Sequence, residues 1–292
     1  MNLLYAIPVR HGFLLVNKPC GPTSHDAVAI VRRTLSERSI GHLGTLDPAA
    51  EGLLVLAVGA KALKVVELFQ SLSKEYIADI EFGAVSTTYD REGVIEPMPL
   101  KPGWSAPEVA ALQRLIADKF TGRIAQVPPV ASAVKVGGER AYRKMRQGRS
   151  VELAARDVLI EECKVLSYHH PHLQLHVRCG SGTYIRSLAH DLGQALRCGG
   201  YLKALRRTRV GEWSVDDARV PDAVRWTDVH PLKEVLKSFP SIVLSDADAQ
   251  HIRHGRDILL SIAEQTIAWH EDLPVAILVP VADGRAHARK VL

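Results

Sequence analysis

The stretch GHLGTLDPAAEGLLVLAVG, residues 41–59, decides the fold because it joins a bent segment with one aspartate to an uninterrupted apolar run. Glycines and Thr45 precede Asp47 and Pro48 follows it, a composition that favours a turn over a helix or a continuous strand. The apolar residues that come next predict a buried strand. Asp47 is therefore held firmly at the start of a core strand, where it either caps the turn or presents a carboxylate for chemistry.

The segments on either side show both helical and strand patterns. GFLLVN predicts a strand, and SHDAVAIVRRTL at 24–35 repeats apolar residues at helical spacing, with Ser24 or Asp26 available to cap the helix. KALKVVELFQSL at 61–72 again has helical spacing, whereas Tyr76 belongs to KEYIADIEFG, whose alternation is typical of a half-buried strand.

The middle of the chain continues this mixture. Ser105 and Glu108 form an S-x-x-E pattern that predicts a capped helix ending before Gly122. An alternating strand at 173–179 leads through glycines into GTYIRSLAHDLGQALRCGG, which predicts a helix stopped near Gly199. Strands and helices do not alternate regularly, and no G-x-G-x-x-G or Walker loop follows a strand, so we expect an α+β fold.

A change of pattern near Pro240 predicts a second, smaller domain. The chain has 292 residues, of which 47% are hydrophobic, enough for one large domain and a small one. Beyond Pro240 come short apolar strands such as TIAWH and PVAILVPVA. We therefore expect a large domain over 1–239 and a small β-rich domain over 240–292.

The charge is modestly basic and is concentrated in two segments. The formal net charge is +5 and the pI is about 9.0, which favours a polyanionic partner without requiring one. The basic residues are Lys135, Arg140, Arg143, Lys144, Arg146 and Arg149 in the first segment, and Lys203, Arg206, Arg207 and Arg209 in the second. Both segments are predicted to contact phosphates.

Cysteines and apolar runs argue against several classes of protein. Four cysteines without a C-x-x-C pair predict reduced, mostly buried thiols and neither a zinc site nor a disulfide framework. The amino-terminal apolar stretch is too short for a signal peptide, and LLVLAVGA at 53–60 is too short to span a membrane. We expect a soluble, cytoplasmic protein.

Three residues besides Asp47 are candidates for a site, and each has a plainer interpretation. Arg186 lies in the first turns of its predicted helix, where its charge opposes the helix dipole and indicates an anionic partner; a solvated helix surface is the alternative. Tyr76 is a core aromatic residue unless its strand borders a cleft. His42, beside a glycine, is by itself a weak indication of function.

Five segments, taken in order, resemble the TruB family of tRNA pseudouridine synthases. They are GFLLVNKPCGPTSHDAV, GHLGTLDPAAEGLLVLAVG, KEYIADIEFG, PPVASAVKVGGERAYRKMRQGRSV and CGSGTYIRSLAHDLG. The resemblance covers nearly all of residues 12–215, and its G-H-x-G-x-L-D-P stretch is a specific signature. It implies a pseudouridine synthase fold, with a mixed, largely antiparallel sheet flanked by helices. The tail from Pro240 is similar, more weakly, to the family's PUA-like RNA-binding domain.

The resemblance also implies an activity and roles for particular residues. It implies isomerisation of uridine 55 in the T loop of tRNA to pseudouridine, without a cofactor or a metal. Asp47 is then the nucleophile, which attacks either the ribose or the base. Tyr76 stacks on the target base and is a candidate for proton transfer, and Arg186 pairs with Asp47. Substrate-binding residues are expected at His42, near the displaced base, at Leu205, in the apolar wall, and at Lys18, Lys135, Arg143 and Arg146. The expected partner is the T arm of tRNA, bound by a monomer without a membrane or an obligate protein partner.

Four positions depart from the family's pattern. Leu43 stands where threonine is common, Glu51 where a small polar residue is usual, Thr87 where an acidic residue is usual, and Ala131 where an aromatic residue is common. None of them is a candidate catalytic residue. Glu51 adds negative charge near Asp47, which bears on RNA contacts and rate more than on reaction type.

Three other functions fit parts of the sequence. A structured-RNA binding or remodelling protein, such as a tRNA folding chaperone, would need the fold and the basic surface without catalysis. A synthase guided by a separate RNA would be expected to have long basic tails, which this sequence lacks. A metal-free glycosidase would need two carboxylates at a fixed separation, and only Asp47 is indicated.

Overall fold

Two larger β-sheets organise the part of the chain that the computed structural model describes, residues 11–292. Residues 1–10 include the start of the predicted large domain and most of the amino-terminal apolar stretch that was judged too short for a signal peptide. Both of those predictions therefore extend to positions outside the described residues.

Residues 11–292 form nineteen strands, seven α-helices and three short 3-10 helices. The strands are β1 (Gly12–Lys18), β2 (Ile40–His42), β3 (Ala50–Val58), β4 (Lys74–Phe82), β5 (Ala84–Ser86), β6 (Ile95–Pro97), β7 (Gly122–Gln126), β8 (Lys135–Val136), β9 (Glu139–Arg140), β10 (Arg156–His169), β11 (His172–Cys179), β12 (Gly200–Val210), β13 (Trp213–Ser214), β14 (Val229–Pro231), β15 (Ser241–Val243), β16 (Ile258–Leu259), β17 (Thr266–His270), β18 (Leu273–Val281) and β19 (Arg285–Val291). The α-helices are α1 (Ser24–Leu35), α2 (Ala60–Val65), α3 (Val109–Lys119), α4 (Ala141–Arg146), α5 (Ile185–Ala195), α6 (Leu232–Val235) and α7 (Asp246–Arg253). Short 3-10 helices cover Val66–Phe69, Val215–Asp217 and Trp226–Asp228.

The large sheet is mixed but mostly antiparallel. Its strands lie in the order β14-β1-β3-β12-β4-β11-β10-β7, with β2 paired to β3 and β13 to β12. Neighbouring strands of this sheet pair antiparallel, except for β3 and β12, which run parallel. Helices pack on this sheet, which confirms the predicted α+β fold with a mixed, largely antiparallel sheet.

Two hydrophobic clusters meet in the middle of this sheet. One joins α3 and α5 to β4, β10 and β11, and the other joins α1 to β1, β2 and β3. Tyr76 on β4 and Leu205 on β12 pack against both clusters. The two helical layers therefore meet over β4 and β12.

The parallel pair places the Asp47 loop beside this junction. Leu205 lies opposite Ala50 and Arg207 lies opposite Gly52 in the pairing of β12 with β3. Because Asp47 comes just before β3, it lies against the middle of β12. The pairing of β12 with β4 is irregular near residues 203 and 208, and such bulges re-aim the side chains next to them.

Helix α1 covers the predicted residues, but its cap differs from the prediction. Thr23 is the N-cap residue, and its Oγ1 accepts the Asp26 N–H at 3.1 Å. The Asp26 carboxylate accepts the Thr23 N–H at 2.9 Å, which completes a capping box. Ser24 and Asp26, the two predicted caps, are instead the first and third residues of the helix, and the Ser24 hydroxyl is left for another partner.

Other helix ends were predicted less well. The helix expected over 61–72 is α2 followed by the 3-10 turn Val66–Phe69. The capping box expected at Ser105 was wrong, because Glu108 is the N-cap and makes no side-chain capping bond. Pro107 disfavours helical backbone at the residue before it, so α3 begins beyond the predicted cap.

The carboxy-terminal sheet forms a small PUA-like β-rich domain. Its strands lie in the order β15-β17-β18-β19-β16, and α7 packs against it. Ile267 and Ile277 of this sheet belong to the same hydrophobic cluster as Phe13 and Phe69. β14 is the last strand of the large sheet along the chain, and β15 is the first strand of the carboxy-terminal sheet. The domain boundary at 239/240 stays a prediction, because this hydrophobic cluster contains residues from both sides of it.

The cysteines are free and mostly buried, as predicted. Cys163, Cys179 and Cys198 are buried, and Cys20 is exposed. Burial raises the pKa of Cys163 to about 12 and that of Cys179 to about 11, so both thiols stay protonated. Within residues 11–292, no helix is long and apolar enough to cross a membrane.

Helix α5 packs so closely on β12 that Gly193 has no room for a side chain. A Cβ atom there would lie 2.1 Å from the backbone nitrogen of Gly200. We expect Gly193→Ala to displace α5 and to lower the free energy of unfolding by about 1–3 kcal/mol, measured by urea denaturation. Gly180→Ala is the control, because its Cβ would meet nothing nearer than 3.7 Å. Equal losses in the two variants would contradict this explanation.

Candidate active site

The loop that carries Asp47 is fixed to the connection between β1 and α1. Buried Ser24 donates its hydroxyl to the Leu46 carbonyl and accepts the Leu46 N–H, both at 2.8 Å. The Pro48 carbonyl accepts the Gly21 N–H, also at 2.8 Å. Residues on both sides of Asp47 are thereby held, so the backbone at the carboxylate is rigid.

Lys18 supports the same loop from inside the protein. Its side chain is buried, and Nζ donates to the carbonyls of Pro19 at 2.9 Å, Pro22 at 2.8 Å and Pro48 at 3.5 Å. Burial lowers the pKa of Lys18, and nearby Cys20 and Asp47 oppose that shift. The predicted substrate contact by Lys18 is corrected, because its ammonium group is occupied by carbonyls and has no surface through which to meet RNA.

Arg207 holds the loop from the opposite side. It is buried on β12, where Nε donates to the Leu53 carbonyl at 2.7 Å and Nη2 to the Gly44 carbonyl at 3.1 Å. Residues 44 and 53 flank the Asp47 turn. Arg207 therefore joins both arms of the loop, and its predicted phosphate contact is corrected because the side chain points into the core.

Arg186 lies in the first turn of α5, and acceptors surround its guanidinium group. Nε lies 3.0 Å from Asp47 Oδ2, and Nη1 lies 3.5 Å from Asp90 Oδ2. Nη1 also donates to the Thr88 carbonyl at 3.3 Å, and Nη2 donates to the Ala131 carbonyl at 3.1 Å. The side chain is only 6% exposed, so two carboxylates and two carbonyls compensate a buried charge.

Asp90 is a partner of Arg186 that the sequence pattern did not indicate as a site residue. Its carboxylate accepts the Thr88 hydroxyl at 2.5 Å and the Glu92 N–H at 3.0 Å. Its side chain is 8% exposed against 40% for Asp47. Asp47 is thus the carboxylate that solvent or a ligand reaches, and Asp90 balances the charge behind it. The available signal was an aspartate in the turn-rich stretch STTYDREG.

A cleft of about 750 Å³ lies over this ion pair. Five of the predicted site residues line it, namely Asp47, Tyr76, Arg186, Leu205 and Arg146. Residues that line it without having been proposed as site residues include His25, Asp90, Glu92, Tyr142 and Tyr184. The cleft therefore combines the Asp47 carboxylate, fixed by Arg186, with aromatic, apolar and basic walls. Among residues 11–292, no group of three His, Cys, Asp or Glu side chains is arranged to hold a metal ion.

Tyr76 and Leu205 form a wall on neighbouring strands. Tyr76 lies opposite Arg207 in the pairing of β4 with β12, and Leu205 lies opposite Ala78. Burial raises the pKa of Tyr76, and the positive charge of Arg207 opposes that shift. The phenol is therefore neutral at physiological pH, so it can offer both a ring face and a proton.

His42 lies behind the cleft on β2. Its ring meets the His25 ring edge to face, with centroids 5.4 Å apart, and His25 is the one that lines the cleft. Burial, followed by the charges of His25 and Arg207, lowers the pKa of His42. A position of His42 near a displaced base stays a prediction.

The first basic segment lies at the rim of the cleft. It folds as the β8–β9 hairpin followed by α4. Arg143 and Arg146 are exposed on α4, and Lys135 is exposed on β8. The Arg146 guanidinium carbon lies 5.6 Å from the centre of the Tyr142 ring. All three cations are exposed to solvent, and Arg146 also lines the cleft.

The second basic segment is largely neutralised within the protein. Lys203 Nζ lies 2.5 Å from Glu81 Oε2, and Arg206 Nη1 lies 3.7 Å from Glu51 Oε1. Arg209 donates to the Glu212 carbonyl at 3.1 Å. Of the residues that depart from the family's pattern, Glu51 is the nearest to Asp47. Its carboxylate offsets the charge of Arg206 at the protein surface.

The other departures have local roles. Ala131 contributes the carbonyl that accepts from Arg186, a contact independent of its side chain. Thr87 Oγ1 accepts the Val94 N–H at 3.0 Å, and Leu43 packs against the hydrophobic cluster shared with the carboxy-terminal sheet. None of these side chains displaces the Arg186 ion pairs.

Comparison with known proteins adds to this geometry. Residues 32–185 match the family model described as TruB family pseudouridylate synthase (N terminal domain), and residues 186–239 match tRNA pseudouridylate synthase B C-terminal domain. The chain is 45% identical to tRNA pseudouridine synthase B of Thermobifida fusca (strain YX), over 95% of this chain and 93% of that relative. It is 43% identical to tRNA pseudouridine synthase B of Mycobacterium sp. (strain KMS), over 85% and 84% respectively.

A solved structure shares the fold. This chain superposes on a protein chain of the crystal structure of a Cbf5-Nop10-Gar1 complex, with a TM-score of 0.71 and 23% sequence identity. The match covers 98% of this chain and 85% of that chain. At this identity the similarity concerns the fold alone.

The two lysines predicted to bind substrate are expected to differ in their effect on stability. Lys18→Met leaves buried carbonyls without their donor, so we expect the free energy of unfolding to fall by about 2 kcal/mol. Lys135→Met removes an exposed ammonium group and is expected to stay within about 0.5 kcal/mol of the parent. Urea denaturation of both variants is the measurement. A Lys18→Met protein as stable as Lys135→Met would mean that Lys18 does not hold the loop.

Proposed function

Because the chain belongs to the TruB family of pseudouridylate synthases and is a tRNA pseudouridine synthase, we propose that its cleft converts uridine 55 of the tRNA T loop with Asp47 as the nucleophile. The observation that carries this proposal is the ion pair at 3.0 Å between buried Arg186 and accessible Asp47. A carboxylate aimed into a cleft by a fixed cation is suited to attack a bound nucleotide.

The reaction determines what the cleft has to supply. The bond between the ribose C1′ and uracil N1 breaks, the base turns, and a bond forms between C1′ and C5. C5 then gives up its proton and N1 ends with one, so the atoms balance. The uracil is isomerised without net oxidation or reduction, so the proposed reaction needs a nucleophile, a proton acceptor and a closed site. Asp47 supplies the nucleophile, and Arg186 holds its carboxylate in the attacking orientation.

Tyr76 and Leu205 would keep the detached base in place. Their wall borders Asp47 in the same cleft, so a uracil released from the ribose would stay packed against a ring and an aliphatic side chain. Exclusion of water there limits loss of the base to solvent. Because the pKa of Tyr76 is raised by burial, its hydroxyl enters the reaction protonated and can relay a proton without carrying a charge.

The tRNA would reach this cleft across the first basic segment. A uridine inside a folded loop has to be flipped out before its C1′ is accessible, and such loops are recognised by shape and by a few unpaired bases. Exposed Lys135, Arg143 and Arg146 are suited to bind the backbone phosphates around the flipped nucleotide. The PUA-like sheet over 240–292 is the proposed second RNA-binding surface of a cytoplasmic monomer.

Asp47→Asn tests the proposed role of the nucleophile. We expect tritium release from tRNA carrying 5-tritiated uridine to be abolished, since an amide of nearly the same shape cannot attack. RNA affinity by filter binding and the melting temperature should stay close to the parent values. Asp118→Asn, at an exposed position of α3, is the control and should leave tritium release unchanged.

The same experiment separates the alternatives. Turnover by Asp47→Asn within about tenfold of the parent, a difference of only about 1.4 kcal/mol in barrier, would refute the assignment of Asp47. A parent protein that binds tRNA without releasing tritium would instead favour the structured-RNA remodelling protein.

A second prediction concerns the rim of the cleft. Replacing Arg143 and Arg146 together by alanine should weaken binding to structured RNAs in general and reduce the slope of log Kd against log salt by roughly one to two units. Arg114→Ala with Lys119→Ala is the matched control, because both cations are exposed on α3, away from the cleft. Equal slopes for the two double variants would place the RNA elsewhere.

A further inference from the structure

Two residues from one face of α5 contact the same turn, residues 88–90. Arg186 and His190 are four residues apart, so their side chains lie on one side of the helix. Arg186 donates to the Thr88 carbonyl at 3.3 Å. The His190 ring stacks on the Tyr89 ring, with centroids 3.9 Å apart and planes 12° apart. The turn is thus held at Thr88 by Arg186 and at Tyr89 by His190, one helical turn further along.

Tyr89 has a backbone conformation that needs support. Its φ is 65°, in the left-handed region that a tyrosine rarely adopts. Such a residue persists only where its surroundings determine it. Its carbonyl accepts the Leu202 N–H at 2.9 Å, and the Arg91 N–H is donated to the Leu202 carbonyl at 3.1 Å. The backbone is therefore pinned to β12, and the side chain is pinned to α5 by His190.

The residue after this strained tyrosine is Asp90. Its carboxylate lies 3.5 Å from Arg186 Nη1, and Arg186 pairs through Nε with Asp47 at 3.0 Å. The direction in which Asp90 points depends on the conformation of Tyr89, because the two residues share a peptide bond. A chain of contacts therefore runs from His190 through Tyr89 and Asp90 to the guanidinium group that aims Asp47.

The stack acts through shape, since both rings are neutral. Burial lowers the pKa of His190, and burial together with the charge of Asp191 raises the pKa of Tyr89. Among residues 11–292, His190 Nδ1 has no hydrogen-bond partner. Nothing in this geometry uses the imidazole as an acid, a base or a ligand to the substrate, and His190 does not line the cleft. A phenyl ring at this position would retain the same contact.

We propose that His190 is a positioning residue, which holds Tyr89 in its left-handed conformation and so keeps Asp90 against Arg186 and Asp47. This rests on the proposed function, because the consequence is a rate of isomerisation. Loss of the stack lets the 88–90 turn relax and loosens the aim of the nucleophile, while the RNA-binding surface is unchanged.

The test compares His190→Ala with His190→Phe. In single-turnover tritium release at saturating enzyme, we expect His190→Ala to be about tenfold slower than the parent, with the Kd for tRNA unchanged, because small misplacements of a reacting group are costly. His190→Phe restores the ring and is expected to be within about twofold of the parent. His169→Ala, at an exposed histidine on β10, is the control.

A second variant guards against poor folding of His190→Ala. Tyr89→Gly tolerates the left-handed backbone, so it should fold stably. Glycine populates positive and negative φ about equally and offers no ring to His190, so the turn is no longer fixed and the single-turnover rate should still fall about tenfold. A merely structural role for the stack predicts a lower melting temperature in His190→Ala and an unchanged rate in folded Tyr89→Gly.

A double-mutant cycle with Asp90→Asn tests the route of the effect. If His190 acts through Asp90, then adding His190→Ala to Asp90→Asn slows the reaction little further, whereas independent roles multiply the two losses. Multiplied losses, or a His190→Ala rate equal to that of the parent, would overturn the proposal. Absence of tritium release by the parent enzyme would instead refute the proposed function, so the two failures are distinguishable.

Discussion

The buried positive charge of Arg186 is the constraint on which the site depends. Withdrawing a guanidinium group from water costs several kcal/mol unless acceptors replace the water, and this side chain is only 6% exposed. Its acceptors come from the Asp47 loop, the 88–90 turn and the carbonyl of Ala131. Three segments that are distant in the chain are therefore held together by the need to neutralise one cation.

A second set of buried polar groups makes the Asp47 loop rigid. Ser24, Lys18 and Arg207 each direct a side chain at loop carbonyls, and none of the three depends on a ligand for its partners. Buried groups that are fully satisfied rigidify the structure around them. The carboxylate is consequently in position before any substrate arrives, which is how a protein lowers the entropic cost of a reaction.

The distribution of charge around the cleft is uneven. Arg143 and Arg146 on α4 and Lys135 on β8 stay exposed. Of the β12 cations, Lys203 and Arg206 are paired with Glu81 and Glu51, Arg209 donates to a backbone carbonyl, and Arg207 is turned into the core. On the far side of the large sheet, Glu67 contacts Arg289 at 3.3 Å and Lys290 at 3.0 Å, which ties the carboxy-terminal sheet to the catalytic one. An RNA that approaches from the α4 side therefore meets free cations, and the other basic strand serves the fold.

Local pattern was enough to determine several elements, and tertiary packing decided the rest. Apolar periodicity placed α1, β4 and β11, and the glycines and proline around Asp47 indicated a rigid turn, because these signals depend on neighbours in the chain. Asp90 as the second partner of Arg186, the burial of Lys18 and the inward direction of Arg207 were not predictable in this way. They arise because parallel pairing of β3 with β12 and the register of a bulged strand bring distant residues together. A buried charge chooses its partners by distance in space, which spacing along a sequence does not encode.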